Sequence, residues 1–274
     1  MKFSNLSEIA TYIVSDGKGI LAADESNPTC KKRFDTISVE SNEQNRRDYR
    51  ELLFSSNGMV GNIGGVILFD ETIRQKTDAG QSLVDLILEA GALPGIKVDK
   101  GLAPFNGSDI ETLTQGLDDL DERCKEYAEL GAKFTKWRAV INIGNGTPTQ
   151  ECIDANMEAL AKYAKIAQKN GMVPIVEPEV LINGNHSIQD CYDATLRSIK
   201  SLFDYLNSYD VDISGTILKP NMVTAGSDSE VKSSVEEVAN MTIKCLNDSV
   251  PDELPGVAFL SGGQTEIEST EHLD

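Results

Sequence analysis

Val173-Pro174-Ile175-Val176-Glu177-Pro178-Glu179 is a run of apolar, β-favouring residues that closes on two carboxylates. In extended backbone the side chains return to one face every second residue, so Glu177 and Glu179 share a face. Comparable apolar runs precede it at Gly19-Ile20-Leu21-Ala22-Ala23, Gly65-Val66-Ile67-Leu68-Phe69, Gly95-Ile96-Lys97-Val98 and Phe134 to Val140. Gly215-Thr216-Ile217-Leu218 and Val257-Ala258-Phe259-Leu260 follow it. Near-continuous hydrophobic strands suit a parallel sheet covered on its faces by helices. The intervals carry helical periodicity. In Gln115 to Leu130, Leu117, Leu120, Cys124 and Tyr127 recur at steps of three and four, and Gly131 stands at the C-terminal cap position. Ala155 to Asn170 before Gly171, and Val231 to Leu246, read the same way. Leu6, Ile9 and Ile13 predict a helix ahead of the first strand, with Asn5 and Glu8 spaced for a capping box.

Seven β-then-α units without a linker predict one α/β domain over 1–274, either a barrel or a doubly wound open sheet. No GxGxxG follows a strand and no Walker loop is present, which disfavours dinucleotide and nucleoside-triphosphate sites. Asp24-Glu25, Asp70-Glu71, Lys97, Lys136, Arg138, Glu177, Glu179, Lys219 and Ser261-Gly262-Gly263 all fall within or at the ends of strands. Barrel enzymes draw their chemistry from the C-terminal ends of several strands. A TIM (β/α)8-type barrel with seven strands evident is the expectation.

The chain has 274 residues with 44 acidic against 25 basic side chains, a net charge of −19. Such an excess repels nucleic-acid phosphates, yet leaves room for a local basic pocket. No apolar run reaches the length of a membrane helix, and Met1-Lys2-Phe3-Ser4 has no signal-peptide core. Cys30, Cys124, Cys152, Cys191 and Cys245 form no CxxC pair, which argues against a disulfide framework or a zinc site. A reduced cytoplasmic setting fits best.

Lys97, Lys136 and Lys219 interrupt apolar strands, where lysine is costly unless paired or deprotonated. A desolvated lysine of lowered pKa is a nucleophile for a carbonyl substrate through a Schiff base. Glu177, Glu179 and Asp24 supply the acids and bases such chemistry requires. Any one lysine alone reads more readily as a strand-end residue extending its ammonium to water, but three such lysines with three carboxylates at successive strand ends favour the chemical reading. Ser261-Gly262-Gly263 offers N–H groups and a hydroxyl to an anion, or is an ordinary glycine-rich turn. Ser26 to Arg33 reads as a capped helix start with a basic first turn. His186 and His272 stand alone, as solvated or hydrogen-bonded histidines, and Trp137 reads as core.

Read together, Lys18-Gly19-Ile20-Leu21-Ala22-Ala23-Asp24-Glu25-Ser26, Gly64 to Phe69, Gly95 to Gly101 and Thr114 to Asp118 resemble class I fructose-1,6-bisphosphate aldolases. So do Lys136-Trp137-Arg138, Val173 to Glu179, Leu218 to Thr224 and Leu260 to Gln264, in the family's order. The resemblance implies Lys219 as the Schiff-base lysine, Glu177 as the proton-transferring glutamate and Glu179 as the carboxylate tuning the lysine cluster. Asp24 falls on the aspartate associated with cleavage of the C3–C4 bond. Lys136, Lys97 and Arg138 fall on cations around the substrate, with Lys136 also a catalytic group close to the C–C bond chemistry. Ser26, Thr29 and Arg33 line one phosphate end; Ser261, Gly262 and Gly263 line the other.

The resemblance further implies reversible cleavage of fructose 1,6-bisphosphate to dihydroxyacetone phosphate and glyceraldehyde 3-phosphate. It implies no metal and no cofactor, with a phosphorylated sugar as the partner; assembly into a homo-oligomer is left open. Asp70 stands where the family commonly has histidine, and Asn27-Pro28 replaces a Thr-Gly pair. After Gly263 the sequence offers no counterpart to the family's eighth strand, its Gly-Arg phosphate site or its tyrosine-ended tail. Open edges on the first and seventh strands are therefore expected. Two other readings stand beside the enzyme: an aldolase-like binding or assembly protein, and a Schiff-base aldolase for a smaller phosphorylated substrate.

Overall fold

A computed structural model describes residues 2–274. The main sheet contains β1 (Gly19–Ala23), β2 (Ile63–Leu68), β3 (Leu93–Lys97), β6 (Phe134–Ile141), β7 (Val173–Val180) and β8 (Ile217–Leu218). All pairs are parallel, and spatial order follows chain order from β1 to β8. A doubly wound sheet reverses its order at a switch point. This one never reverses, so it has the progression of a barrel. The expected seventh strand is reduced to one parallel bridge, Leu218 to Val257, prolonged by bonds from Ala258 N–H to Leu218 O and Leu260 N–H to Pro220 O. Pro220 and Pro255 beside it remove ladder donors, which explains its brevity. Among the described residues β1 pairs only with β2, and the sheet stays open between β1 and residues 257–260.

The helices are α1 (Leu6–Ile13), α2 (Asn27–Asp35), α3 (Glu43–Phe54), α4 (Asp70–Ile73), α5 (Leu83–Glu89), α6 (Leu120–Glu129), α7 (Gln150–Lys169), α8 (Ile188–Ser208), α9 (Val235–Asn247) and α10 (Glu266–Leu273). The side chain of Asn5 caps α1 by accepting from Glu8 N–H at 2.9 Å. The Glu8 carboxylate reaches Ser4 N–H rather than Asn5, so the reciprocal half of the expected box is displaced by one residue. α6 starts later than its apolar periodicity because Asp119 takes a left-handed conformation, φ 57°. An antiparallel hairpin of β4 (Leu102–Pro104) and β5 (Thr112–Thr114) was not foreseen.

Side-chain parity along the strands divides the sheet. One face carries Leu21, Ala23, Val66, Leu68, Ile96, Trp137, Ala139, Val176 and Leu218, which pack on the helices in the larger core. Trp137 is fully buried and stacks on Tyr163 of α7. The other face is apolar at its N-terminal half, where Ile67, Leu93, Phe134, Ile175 and Ile217 meet Ile9 and Ile13 of α1. Further along the same face the residues become Asp24, Lys97, Lys136, Arg138, Glu177, Glu179 and Lys219. α1 therefore plugs the bottom, and the charges emerge at the C-terminal end.

Two glycines make that plug possible. A Cβ on Gly95 would stand 2.2 Å from the Phe134 ring, and one on Gly65 would stand 2.8 Å from it. Gly95→Ala should destabilise the fold by about 1–3 kcal/mol through overpacking. Urea unfolding measures it, and Phe134→Leu in the same chain should recover part of the loss.

Candidate active site

Parallel strands all end on the same edge, which brings together side chains distant in sequence. Asp24 follows β1, Lys97 ends β3, Lys136 and Arg138 lie in β6, Glu177 and Glu179 in β7, and Lys219 follows β8. In register, Lys97 sits beside Lys136, Arg138 beside Glu177, and Val140 beside Glu179. The result is a chain of alternating charge. Lys219 Nζ donates to Glu177 Oε1 at 2.6 Å, Glu177 Oε2 faces Lys136 Nζ at 3.5 Å, and Lys136 Nζ contacts Asp24 Oδ2 at 2.7 Å. Glu177 Oε2 has no hydrogen bond within the described residues. Lys219, Glu177 and Lys136 are all buried.

Alternation explains how so many charges tolerate burial. Each isolated ion would cost several kcal/mol to desolvate, roughly recovered only when its neighbours are opposite in sign. Burial alone would depress the Lys136 ammonium, but Glu177, Asp24 and Asp99 outweigh it and raise its pKa. Lys136 is thus a permanent cation, and the deprotonation considered for buried lysines does not apply to it. Burial pushes the Asp24 carboxyl up, while Lys136 and Lys219 pull it further down, so it is ionised well below neutrality.

Two pairs flank the chain. Arg138 binds Glu179, so Glu179 holds an arginine rather than entering the lysine cluster directly. Lys97 binds Asp99 at 2.5 Å, and Asp99 also accepts weakly from Arg138 N–H at 3.4 Å. These groups border a cleft of about 920 Å³, whose walls include Asp24, Lys97, Lys136 and Arg138. Glu177 and Lys219 are not themselves among the cleft walls; Lys219 connects to the wall residue Lys136 through the Glu177 carboxylate. Ser26, Thr29 and Arg33 line the same cleft at its rim. The Ser26 and Thr29 hydroxyls pair with each other at 3.0 Å over the start of α2, and Arg33, in its last turn rather than its first, pairs with Glu25.

Ser261-Gly262-Gly263 is not among the cleft walls. The turn follows the segment beside β8, at the opposite edge of the open sheet from β1, and Gly263 borders a separate hollow of about 530 Å³ with Ile182 and Lys232. The two expected phosphate ends are therefore not joined in one cavity. His186 also departs from expectation. It is buried with neither ring nitrogen hydrogen-bonded, and burial lowers its pKa.

The cleft contains residues that sequence reasoning left unassigned: Asp99, Glu25, Asp70, Lys100, Arg123 and Tyr127. Asp99 was detectable, since it lies two residues beyond Lys97 in extended chain. Asp70 accepts from Tyr127 Oη at 2.9 Å and from Arg74 at 2.8 Å. Burial would raise the Asp70 pKa, but these partners lower it. Arg74 lies four residues along the chain, an i,i+4 pair, whereas Tyr127 is 57 residues away and leaves no local mark.

A family model for class I fructose-bisphosphate aldolase matches residues 5–274. The chain belongs to the class I fructose-bisphosphate aldolase family. A probable aldolase of this class from Xylella fastidiosa strain Temecula1 is 51% identical over the whole chain, which spans 82% of that protein. A cytosolic aldolase of Arabidopsis thaliana is 52% identical over 97% of this chain and 67% of its own length. A Plasmodium falciparum fructose-bisphosphate aldolase, solved with TRAP and a small-molecule inhibitor, superimposes with TM-score 0.96 at 48% identity. That match covers 98% of this chain and 78% of the other. The chain is thus a lyase of the aldolase family, with an α/β barrel-type sheet that cleaves fructose 1,6-bisphosphate reversibly.

The aspartate in this aldolase site has a measurable signature. Its native pKa lies below the unfolded value of about 3.9, so its contribution to stability is complete above that pH and disappears as pH falls through the native value. Urea midpoints should drop below about pH 4 in the wild type, and part of that slope should vanish in Asp24→Asn. An unchanged slope would place the acid sensitivity in other carboxylates.

Proposed function

We propose that Lys219 is the nucleophile and forms a Schiff base with the carbonyl carbon of fructose 1,6-bisphosphate. The observation that carries this reading is the Glu177 carboxylate, with one oxygen 2.6 Å from Lys219 Nζ and the other facing Lys136 without a hydrogen bond. Glu177 takes the ammonium proton, freeing the amine to attack. It returns a proton to the carbinolamine oxygen, which leaves as water and yields the protonated imine. Asp24, ionised beside Lys136, takes the proton of the C4 hydroxyl. The C3–C4 bonding pair then moves into the iminium, glyceraldehyde 3-phosphate departs and an enamine remains. Protonation of that enamine at C3 and hydrolysis release dihydroxyacetone phosphate and restore Lys219.

The protonated imine is the electron sink in this sequence, so no metal is required. Lys136 stays charged and keeps Asp24 competent as a base. Lys97, Arg138 and Arg33 neutralise the anionic substrate, with Ser26 and Thr29 at the phosphate beside α2. Glu179 holds Arg138 in place. The turn at Ser261-Gly262-Gly263 serves the second phosphate from the far edge of the sheet, supported by the positive φ of Gly262 and Gly263, 59° and 84°. Among the described residues no helix is long and apolar enough to cross a membrane. With cytosolic relatives at about half identity, this supports work in the cytoplasm.

Incubation with dihydroxyacetone phosphate and borohydride should label Lys219, also in EDTA, and peptide mapping should place the adduct there. Equal labelling of Lys219→Ala, or loss of activity in EDTA that zinc restores, would refute the mechanism. Glu177→Gln should lower kcat by at least about 100-fold with little change in KM, since it removes proton transfer rather than binding. A rise in KM alone would make Glu177 a binding residue.

A further inference from the structure

The inner face of α3 presents Arg46, Arg50 and Phe54, one every four residues. Arg50 is 1% exposed and does not border the cleft. Its guanidinium enters the end of β1, where Nε donates to Ala23 O at 3.3 Å and Nη2 to Glu25 O at 2.9 Å. Nη2 also reaches Glu25 Oε2 at 3.3 Å, and Nη1 reaches Cys30 Sγ at 2.9 Å. The two carbonyls belong to the residues on either side of Asp24. One planar fork thus fixes the backbone before and after the aspartate, whose own side chain points to the opposite face and meets Lys136. The other oxygen of Glu25 holds Arg33 at the cleft rim.

A buried guanidinium is costly to desolvate, and packing alone would be served by an aliphatic side chain. Only a rigid fork of donors spans two carbonyls separated by one residue while also binding a carboxylate. From this geometry we infer that Arg50 is a positioning residue: it sets Asp24 against Lys136 and, through Glu25, sets Arg33 over the cleft. The inference rests on the role proposed above for Asp24.

Arg50→Lys keeps the charge and removes the fork. Two quantities are read from one preparation: the number of Lys219 sites trapped by dihydroxyacetone phosphate and borohydride, and the cleavage kcat per trapped site. Misplacement of a reacting group by about 1 Å can cost about 100-fold. The expected kcat per trapped site is therefore about 10- to 100-fold below wild type, with KM for fructose 1,6-bisphosphate raised. Adding Arg50→Lys to Asp24→Asn should cost far less than it does alone, because both act through one carboxylate. A merely structural Arg50 would reduce the number of trapped sites and leave kcat per site intact, which overturns the proposal, as would additive losses in the double variant. Full kcat in Asp24→Asn alone would instead refute the role of Asp24. If Arg50→Lys does not fold, Glu25→Gln tests the other end of the contact. Wild-type KM and kcat per site in that variant overturn the proposal.

Discussion

The contact between Lys136 and its two carboxylates, Asp24 and Glu177, is the constraint on which the rest of the molecule depends. It joins β1, β6 and β7 across one end of the sheet, and Glu177 extends it to Lys219 beyond β8. Removing Glu177 leaves Lys219 without its carboxylate partner, at a cost of about 3–5 kcal/mol. The strands must therefore hold their register closely, and a parallel sheet does so because its strands all finish on the same side. The cluster is expensive as a stabilising device. It is well suited to chemistry, because its protons have short paths and its charges are fixed before substrate arrives.

The same sheet face resolves the resulting conflict along its length. Its lower half is wholly apolar, with Phe134 lying over Gly65 and Gly95 and α1 closing the end. Its upper half is charged. Water is kept from the bottom by packing and admitted at the top by the cleft, so Lys136, two residues beyond Phe134, stands at the boundary. The distance between a hydrophobic plug and a reacting centre is here one repeat of a β-strand.

Much of this was legible in the chain because the relevant signals are local. Six of the seven apolar runs mark strands of the main sheet, and period two along the fifth puts Glu177 and Glu179 on one face. Asn5 marked the start of α1. What stayed hidden depends on partners distant in sequence. The charge state of Lys136 is set by Asp24, Asp99 and Glu177, none of which its neighbours reveal. Arg50 escaped notice because helical periodicity is read from apolar residues, whereas the buried stripe of α3 is two arginines and a phenylalanine. The position of Ser261-Gly262-Gly263 depends on how far the sheet curls, and no local pattern encodes that. His186 reads in sequence as a solvated or hydrogen-bonded histidine, since burial without a partner leaves no mark there.

The electrostatics of the whole chain and of the cleft have opposite signs. The protein carries a net charge of −19. The cleft walls carry Arg33, Lys97, Lys100, Arg123, Lys136 and Arg138 against Asp24, Glu25, Asp70 and Asp99. At physiological ionic strength, exposed charges are largely screened beyond about 8 Å, so a bisphosphate at the mouth feels the cations near it more than the distant surface. Within the cleft the low-dielectric walls concentrate that local field. Asp24, Glu25 and Asp99 each pair with a cation of the cleft walls that they also orient, while Asp70 pairs with Arg74 outside the walls. Arg33, Lys97, Lys136 and Arg138 each have such an acidic partner, held by Glu25, Asp99, Asp24 and Glu179 respectively. Orientation is thereby separated from attraction: the carboxylates fix where each cation points, and the excess of cations supplies the pull on the anion. An uncharged residue in place of Glu25, Asp99 or Glu179 would increase the net positive charge and yet weaken the site, because a long cationic side chain without its partner spreads over more rotamers before substrate binds.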